Sequence, residues 1–302
     1  MSQGKYLPEG RQPAKVYGCE GLERAIREGS ILEGKAVRCT DRHELVVDIN
    51  GIRGIIPREE TAIGIDTGKT REIAILSRVG KTVCFKVVSR SGDAFILSRR
   101  AAQQEALDHY MSNVQTGEIV ECRVTHLESF GAFVDIGCGV ISMIGIENIS
   151  VSRIAHPAER FALRQDIYAV VTGKDIKNGR VSLSHKELLG TWDQCARLVS
   201  QGETVSGIVR GVEDYGIFVE LSPNLSGLAE RKEGIRCGMN VSVYVKSVNA
   251  ERMKIKLIVI DAEEQTERRL IKKSDYFITD GILQRWQYSP QSCTDKIIQT
   301  VF

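Results

Sequence analysis

Three phrases built alike recur along the chain: Glu33-Gly34-Lys35-Ala36-Val37, Thr116-Gly117-Glu118-Ile119-Val120 and Gln201-Gly202-Glu203-Thr204-Val205. Their glycines lie 83 and then 85 residues apart. So regular a period constrains the fold more than any single residue does. The chain must be three similar modules in tandem.

A helix-like stretch precedes each phrase, at residues 21–29, at 101–114 through Ala102, Ala106, Leu107 and Tyr110, and at 186–200 through Leu188, Leu189, Trp192, Ala196 and Leu198. Apolar residues three and four apart predict amphipathic helices there. Short β-rich runs follow each glycine. In the second module they fall at 119–124, 133–136, 140–144, 167–171 and 180–184, with a turn at Asp175-Ile176-Lys177-Asn178-Gly179. The third module repeats the series at 204–209, 217–221, 241–248 and 254–259, and the first at 46–49, 54–57, 83–88 and 94–98. Five strands in about 70 residues, interrupted after the third, predict a Greek-key OB barrel. The expected fold is mainly β: tandem five-stranded OB-fold barrels joined by short α-helices. Its expected parts are an N-terminal helical segment (1–30), a degenerate first repeat (31–100), a linker helix (101–114) and a second repeat (115–186). A second linker helix (187–200), a third repeat (201–261) and a helical, aromatic tail (262–302) complete it.

One string stands out in the second module, Phe130-Gly131-Ala132-Phe133-Val134-Asp135-Ile136-Gly137, and a close copy, Tyr215-Gly216-Ile217-Phe218-Val219-Glu220-Leu221, lies in the third. Exposed rings on a barrel offer stacking surfaces to unpaired bases, each worth about 1 to 3 kcal/mol and tolerant of sequence. Alternate residues share a strand face, whereas these rings are three apart. Both reach one face only if the region of Gly131 holds a loop end or a bulge. The opposing expectation makes Phe133 and Phe218 core residues, and the duplication of the string argues against it. Counted from its glycine, Val47 stands at 13 where Val134 stands at 17, so the first module lacks the ring-bearing segment. A tight turn, Asp41-Arg42-His43-Glu44, takes its place, and base stacking is not expected there.

With Gly145-Ile146-Glu147-Asn148-Ile149-Ser150, and with Asp175 leading to Arg180-Val181-Ser182-Leu183-Ser184, these phrases resemble the RNA-binding repeat of the bacterial small-subunit ribosomal protein S-one family. The likeness runs over residues 31 to 260 and looks most like a three-repeat version. It implies an RNA face of two rings, a histidine, an aspartate and an arginine. The rings would be Phe130 and Phe133, the aspartate Asp175 and the arginine Arg180, while Asn148 stands at the histidine position. In the third repeat Tyr215 and Phe218 match the rings and Lys254 the basic residue. Asn249 stands at the aspartate position and Glu230 at the histidine position, where an acid would repel phosphate. The resemblance also implies single-stranded RNA (mRNA) and the small ribosomal subunit as partners, in translation, with the first repeat as a docking module.

Composition narrows the alternatives. The formal net charge is only +2, so an anionic partner must be met by local patches. No apolar run approaches the roughly 18 residues of a membrane span, and Met1-Ser2-Gln3-Gly4-Lys5 lacks a secretory core. The eight cysteines stand singly, without a Cys-x-x-Cys pair, which fits free thiols in the cytosol and no zinc site. No nucleotide loop or catalytic triad is legible, so no enzyme, cofactor or small-molecule substrate is expected. His126 and His156 read as structural, and His185, after the last strand, as facing solvent. Arg164 stands where the other repeats have Gly80 and Gly238 before the fourth strand. It is expected to carry backbone strain, or to serve as an RNA contact. The competing function is an adaptor that docks on the ribosome or on an RNA-processing or transcription complex, favoured by the low charge and the ringless first repeat.

Overall fold

The computed structural model describes residues 6–11, 17–264, 268–294 and 296–302. Helix α1 (Cys19–Glu28) seats Leu22 and Ala25 on the first barrel and ends at Gly29, whose φ of 63° closes it in the left-handed conformation. The barrel then winds through β1 (Ile31–Cys39), β2 (Leu45–Ile49), β3 (Ile52–Ile56), β4 (Thr82–Ser91) and β5 (Ala94–Ser98), with a short helix α2 (Ile73–Leu76) between β3 and β4. Ser98 caps helix α3 (Arg99–Ser112) by accepting a hydrogen bond from the Ala101 amide. The second barrel comprises β6 (Ile119–Glu128), β7 (Gly131–Asp135), β8 (Ile141–Gly145), β9 (Asp166–Asp175) and β10 (Arg180–Ser184). After helix α4 (Trp192–Ala196), the third is β11 (Thr204–Glu213), β12 (Gly216–Ser222), β13 (Leu225–Ala229), β14 (Asn240–Asn249) and β15 (Lys254–Glu263). Each sheet closes in the order first, second, third, fifth, fourth strand, with the third and fifth strands parallel. That is the OB topology the strand series predicts.

Alternation builds each core. In the second barrel Val120, Cys122, Val124, Ala132, Val134 and Ile144 point inward. Burial among them pushes the Cys122 thiol pKa well up, so it stays protonated. The first strand of every barrel carries a bulge at the same place, between Ala36 and Arg38, Val124 and His126, and Val209 and Gly211. The extra residues are Val37, Thr125 and Arg210.

Two joints tie the barrels together. At the first, the Glu9 carboxylate bonds the buried Arg99 through both oxygens, while the Glu9 amide donates to Asp135 of β7. At the second, Glu220 of β12 accepts from Arg160 and from Arg210, the bulge residue, which also pairs with Glu159. Asn224 adds to it, donating to the carbonyls of Lys186 and Gly190 and accepting from the Val151 amide.

Three expectations are corrected. The stretch 186–200 is not one helix. A 3-10 turn (Lys186–Leu189) stops at Gly190, whose φ of 88° breaks the helix, and α4 restarts under a Thr191–Gln194 capping box. The charged stretch 262–273, read as a solvated helix, forms none among the described residues: β15 continues to Glu263, and 265–267 lie outside them. His185 is fully buried rather than in solvent, bonding the Ile149 carbonyl through Nδ1 and the Tyr276 hydroxyl through Nε2. The tail's own strands, β16 (Arg285–Gln287) and β17 (Gln299–Val301), pair as a small sheet and bury Trp286 and Tyr288 against the third barrel.

Candidate nucleic-acid interface

Phe130 ends the turn before β7 and Phe133 sits within that strand, so a loop end lets rings three apart share one side. Their centroids are 6.0 Å apart and their planes meet at 89°. Tyr215 and Phe218 make the same pair at 6.0 Å and 88°. All lie outside the cores. Phe130, Tyr215 and Phe218 are 54%, 70% and 36% exposed, and Phe133 is half-buried. Gly131 has a different task from the one its flexibility suggests. A Cβ there would meet the Ile144 carbonyl at 2.5 Å, so glycine lets β8 close on β7.

Strand register extends the platform sideways. Phe133 lies opposite Met143, and Met143 opposite Ser182, two residues along β10 from Arg180. In the third barrel the corresponding row is Phe218, Leu228 and Lys256, two residues from Lys254. Arg180 and Lys254 are both exposed, and neither side chain makes a hydrogen bond or salt bridge among the described residues, although the Arg180 charge bears on Asp175. In the first barrel the row is Val46, Ile55 and Ile96, with Ala94 in place of the cation. Rings and cation are lost together.

Asp175 sits in the turn beside Arg180. Its carboxylate accepts from the side chain and amide of Asn178, which hold its pKa below the usual range. Asn249 does the same in the third barrel by accepting from the Arg252 amide at 2.9 Å. Both are thus turn-forming residues at the platform's edge. Asn148 accepts from Lys186 Nζ at 2.8 Å through Oδ1, and its carbonyl accepts from the His185 amide. It brings a cation to the position where the sequence offers no histidine.

Several residues escaped the sequence reading. His126, largely exposed, lies opposite Phe133 with ring centroids 6.2 Å apart, placed there by the Thr125 bulge. In the third barrel Gly211 occupies that place. The Tyr215–Phe218 pair opens into a groove of about 570 Å³ walled by four segments, one of them α4 through Trp192. Barrel three supplies Arg252 and Lys254, the loop after β8 supplies Arg153, and the tail supplies Lys296 and Ile298, while Glu230 does not line it. His156 caps the 3-10 turn Pro157–Glu159 and is structural. Among the described residues no group of three or more His, Cys, Asp or Glu is placed to hold a metal ion, and no helix is long and apolar enough to cross a membrane.

Comparison with known proteins bears on this geometry. Residues 113–186, the second barrel, match the S1 RNA-binding domain. The chain is 31% identical over 263 residues to the small ribosomal subunit protein bS1 of Leuconostoc lactis, covering 81% of this chain and 59% of that one. It is 30% identical to bS1 of Streptococcus pneumoniae, covering 79% and 62%, and 30% identical to the bS1 homolog of Bacillus subtilis, covering 81% and 66%. The chain is similar to bacterial bS1 proteins over most of its length and carries the S1 RNA-binding domain. It spans about three-fifths to two-thirds of the length of these bS1 relatives. The S1 match falls on the barrel with Phe130, Phe133, Asn148, Asp175 and Arg180, and the bS1 likeness extends over most of the chain.

Proposed function

We propose that the chain is a single-stranded RNA-binding protein of the translation apparatus, working in the cytoplasm on mRNA at the small ribosomal subunit. The second and third barrels stack bases on Phe130 with Phe133 and on Tyr215 with Phe218. Arg180 and Lys254 neutralise backbone phosphate, and Asn148 with Lys186, and Asp175 at the turn, bound the first platform. One observation carries this reading: two barrels present an edge-on ring pair of the same spacing, with an exposed cation on the fifth strand of each whose side chain makes no hydrogen bond among the described residues. Rings serve single strands because a duplex hides its base faces. The protein binds and does no chemistry.

A second role is favoured for the first barrel alone. Its row is aliphatic, with Val46 buried and Ile55 and Ile96 half-buried, and Val37, Ile73 and Leu76 are exposed on the same module, which suits docking to the ribosome or another protein. Fluorescence anisotropy with one RNA sequence, as a single strand and as a duplex at matched salt, tests the main reading. The single strand should bind much more tightly, with log K falling by about 0.7 per contacted phosphate for each decade of salt. Equal affinity for the duplex would contradict it.

A further inference from the structure

A second cleft, of about 440 Å³, is lined by residues of the first and second barrels and by none of the four rings. Arg78, Lys81, Arg123 and Arg164 line it, together with Glu9 and Asp135. The acids are already engaged. Glu9 holds Arg99 through both carboxylate oxygens, at 2.7 and 3.0 Å, and Asp135 accepts the amides of Glu9, Gly137 and Gly139. Arg123 is engaged too, bidentate to Asp166, and Arg78 lies 3.6 Å from Glu9. Lys81 and Arg164 remain. Both are exposed and have no side-chain hydrogen bond or ion pair among the described residues. Four cations gather here against two carboxylates, and both carboxylates are already bonded to other groups. Partial burial, and then the nearby Arg78 and Arg164, push the Lys81 pKa down.

The backbone of Arg164 is a second observation. Its φ is 66°, where the equivalent turns hold Gly80 at 81° and Gly238 at 90°. All three amides make the same bond back to the first strand of their barrel, to Val124, Ala36 and Val209. The second barrel thus places a guanidinium where the turn favours glycine, and that side chain lines the cleft.

We propose that this cleft binds phosphate of the RNA backbone, with Lys81 and Arg164 as its free cations. The proposal rests on the RNA-binding reading above and adds a contact that the rings do not make. No ring lines the cleft, so it grips backbone without stacking bases. It also gives the ringless first barrel, which supplies Lys81, a share in the path of the strand.

The test uses the full chain with Lys81→Ala and Arg164→Gly together. Glycine suits the turn, so the fold is kept, and a thermal midpoint checks it. Lys81→Gln alone, at an exposed side chain, serves as a second variant. Single-stranded RNA affinity is measured across a salt series. The double variant should bind every sequence more weakly at low salt. Its slope of log K against log salt should be shallower by about 0.7 to 1.4, one or two phosphates' worth, and the single variant's by about half that. Unchanged affinity and slope in both variants overturn the proposal. A variant carrying Phe130→Ala, Phe133→Ala, Tyr215→Ala and Phe218→Ala, measured alongside, separates the two readings. If the rings matter and the cleft cations do not, only the cleft proposal falls. If the cations matter and the rings do not, stacking falls and the cleft stands. A wild-type chain that does not bind the strand overturns both.

Discussion

Arg164 occupies a left-handed turn that the other barrels give to glycine, and relieving it should stabilise the fold. Arg164→Gly is expected to raise the unfolding free energy by about 0.5 to 1 kcal/mol, read from urea midpoints, the relief being partly offset by a more flexible unfolded chain. The aligned turn residues made this strain legible in the sequence. His185 was not legible in the same way. Its burial depends on Tyr276, 91 residues away, and no local pattern announces that contact. Burial lowers its pKa from 6.5 to about 4, with Arg160 adding to the effect. As pH falls, the unfolded chain takes up this proton first, so the stability it supports is complete above about 6.5 and is lost toward 4. Asp135 acts in the opposite sense. Burial, then the charge of Glu9, raises its pKa to about 7, so its contribution falls as pH rises from about 4 toward 7. Comparing His185→Asn with wild type isolates the histidine. The variant should be less stable at pH 7 and lose less stability between pH 7 and pH 5.

Strand elements were readable because the inward positions alternate, and five such runs with turn residues between them leave few folds open. Register was not readable. A bulge shifts pairing by one residue, so the pairing of His126 with Phe133 emerges only from the closed sheet. The linker after the second barrel misled for a related reason. Leu188, Leu189 and Trp192 keep helical spacing, yet Gly190 packs against the Phe277 ring and divides the segment. Backbone approach is the test at this scale. Gly131→Ala would drive a Cβ into the Ile144 carbonyl and pry β7 from β8. A loss of about 1 to 3 kcal/mol is expected in denaturant unfolding, together with weaker RNA binding, because Phe133 rides on that strand.

Across the whole molecule, one motif serves two ends. The residue two places beyond Phe133 or Phe218 lies on the same strand face, and in both barrels it is an acid buried by a neighbouring segment: Asp135 under Glu9, Glu220 under Arg160. In the first barrel Asp48 stands there exposed, bonding the Gly51 amide. The sequence shows these acids as part of a repeat but gives no sign that they are joints, because Glu9 and Arg160 lie outside the repeat that carries each acid. Glu220→Ala would leave the buried Arg160 guanidinium without its anion. It should cost about 3 to 5 kcal/mol and loosen the third barrel from the second, which urea unfolding and limited proteolysis would detect. The central claim is that the two ring pairs hold single-stranded RNA. Its most direct measurement is the dissociation constant for a single-stranded RNA, at fixed salt, of the chain carrying Phe130→Ala, Phe133→Ala, Tyr215→Ala and Phe218→Ala. With stacking worth about 1 to 3 kcal/mol per base, binding should weaken by more than about tenfold in a variant that still folds. An unchanged dissociation constant would contradict the account.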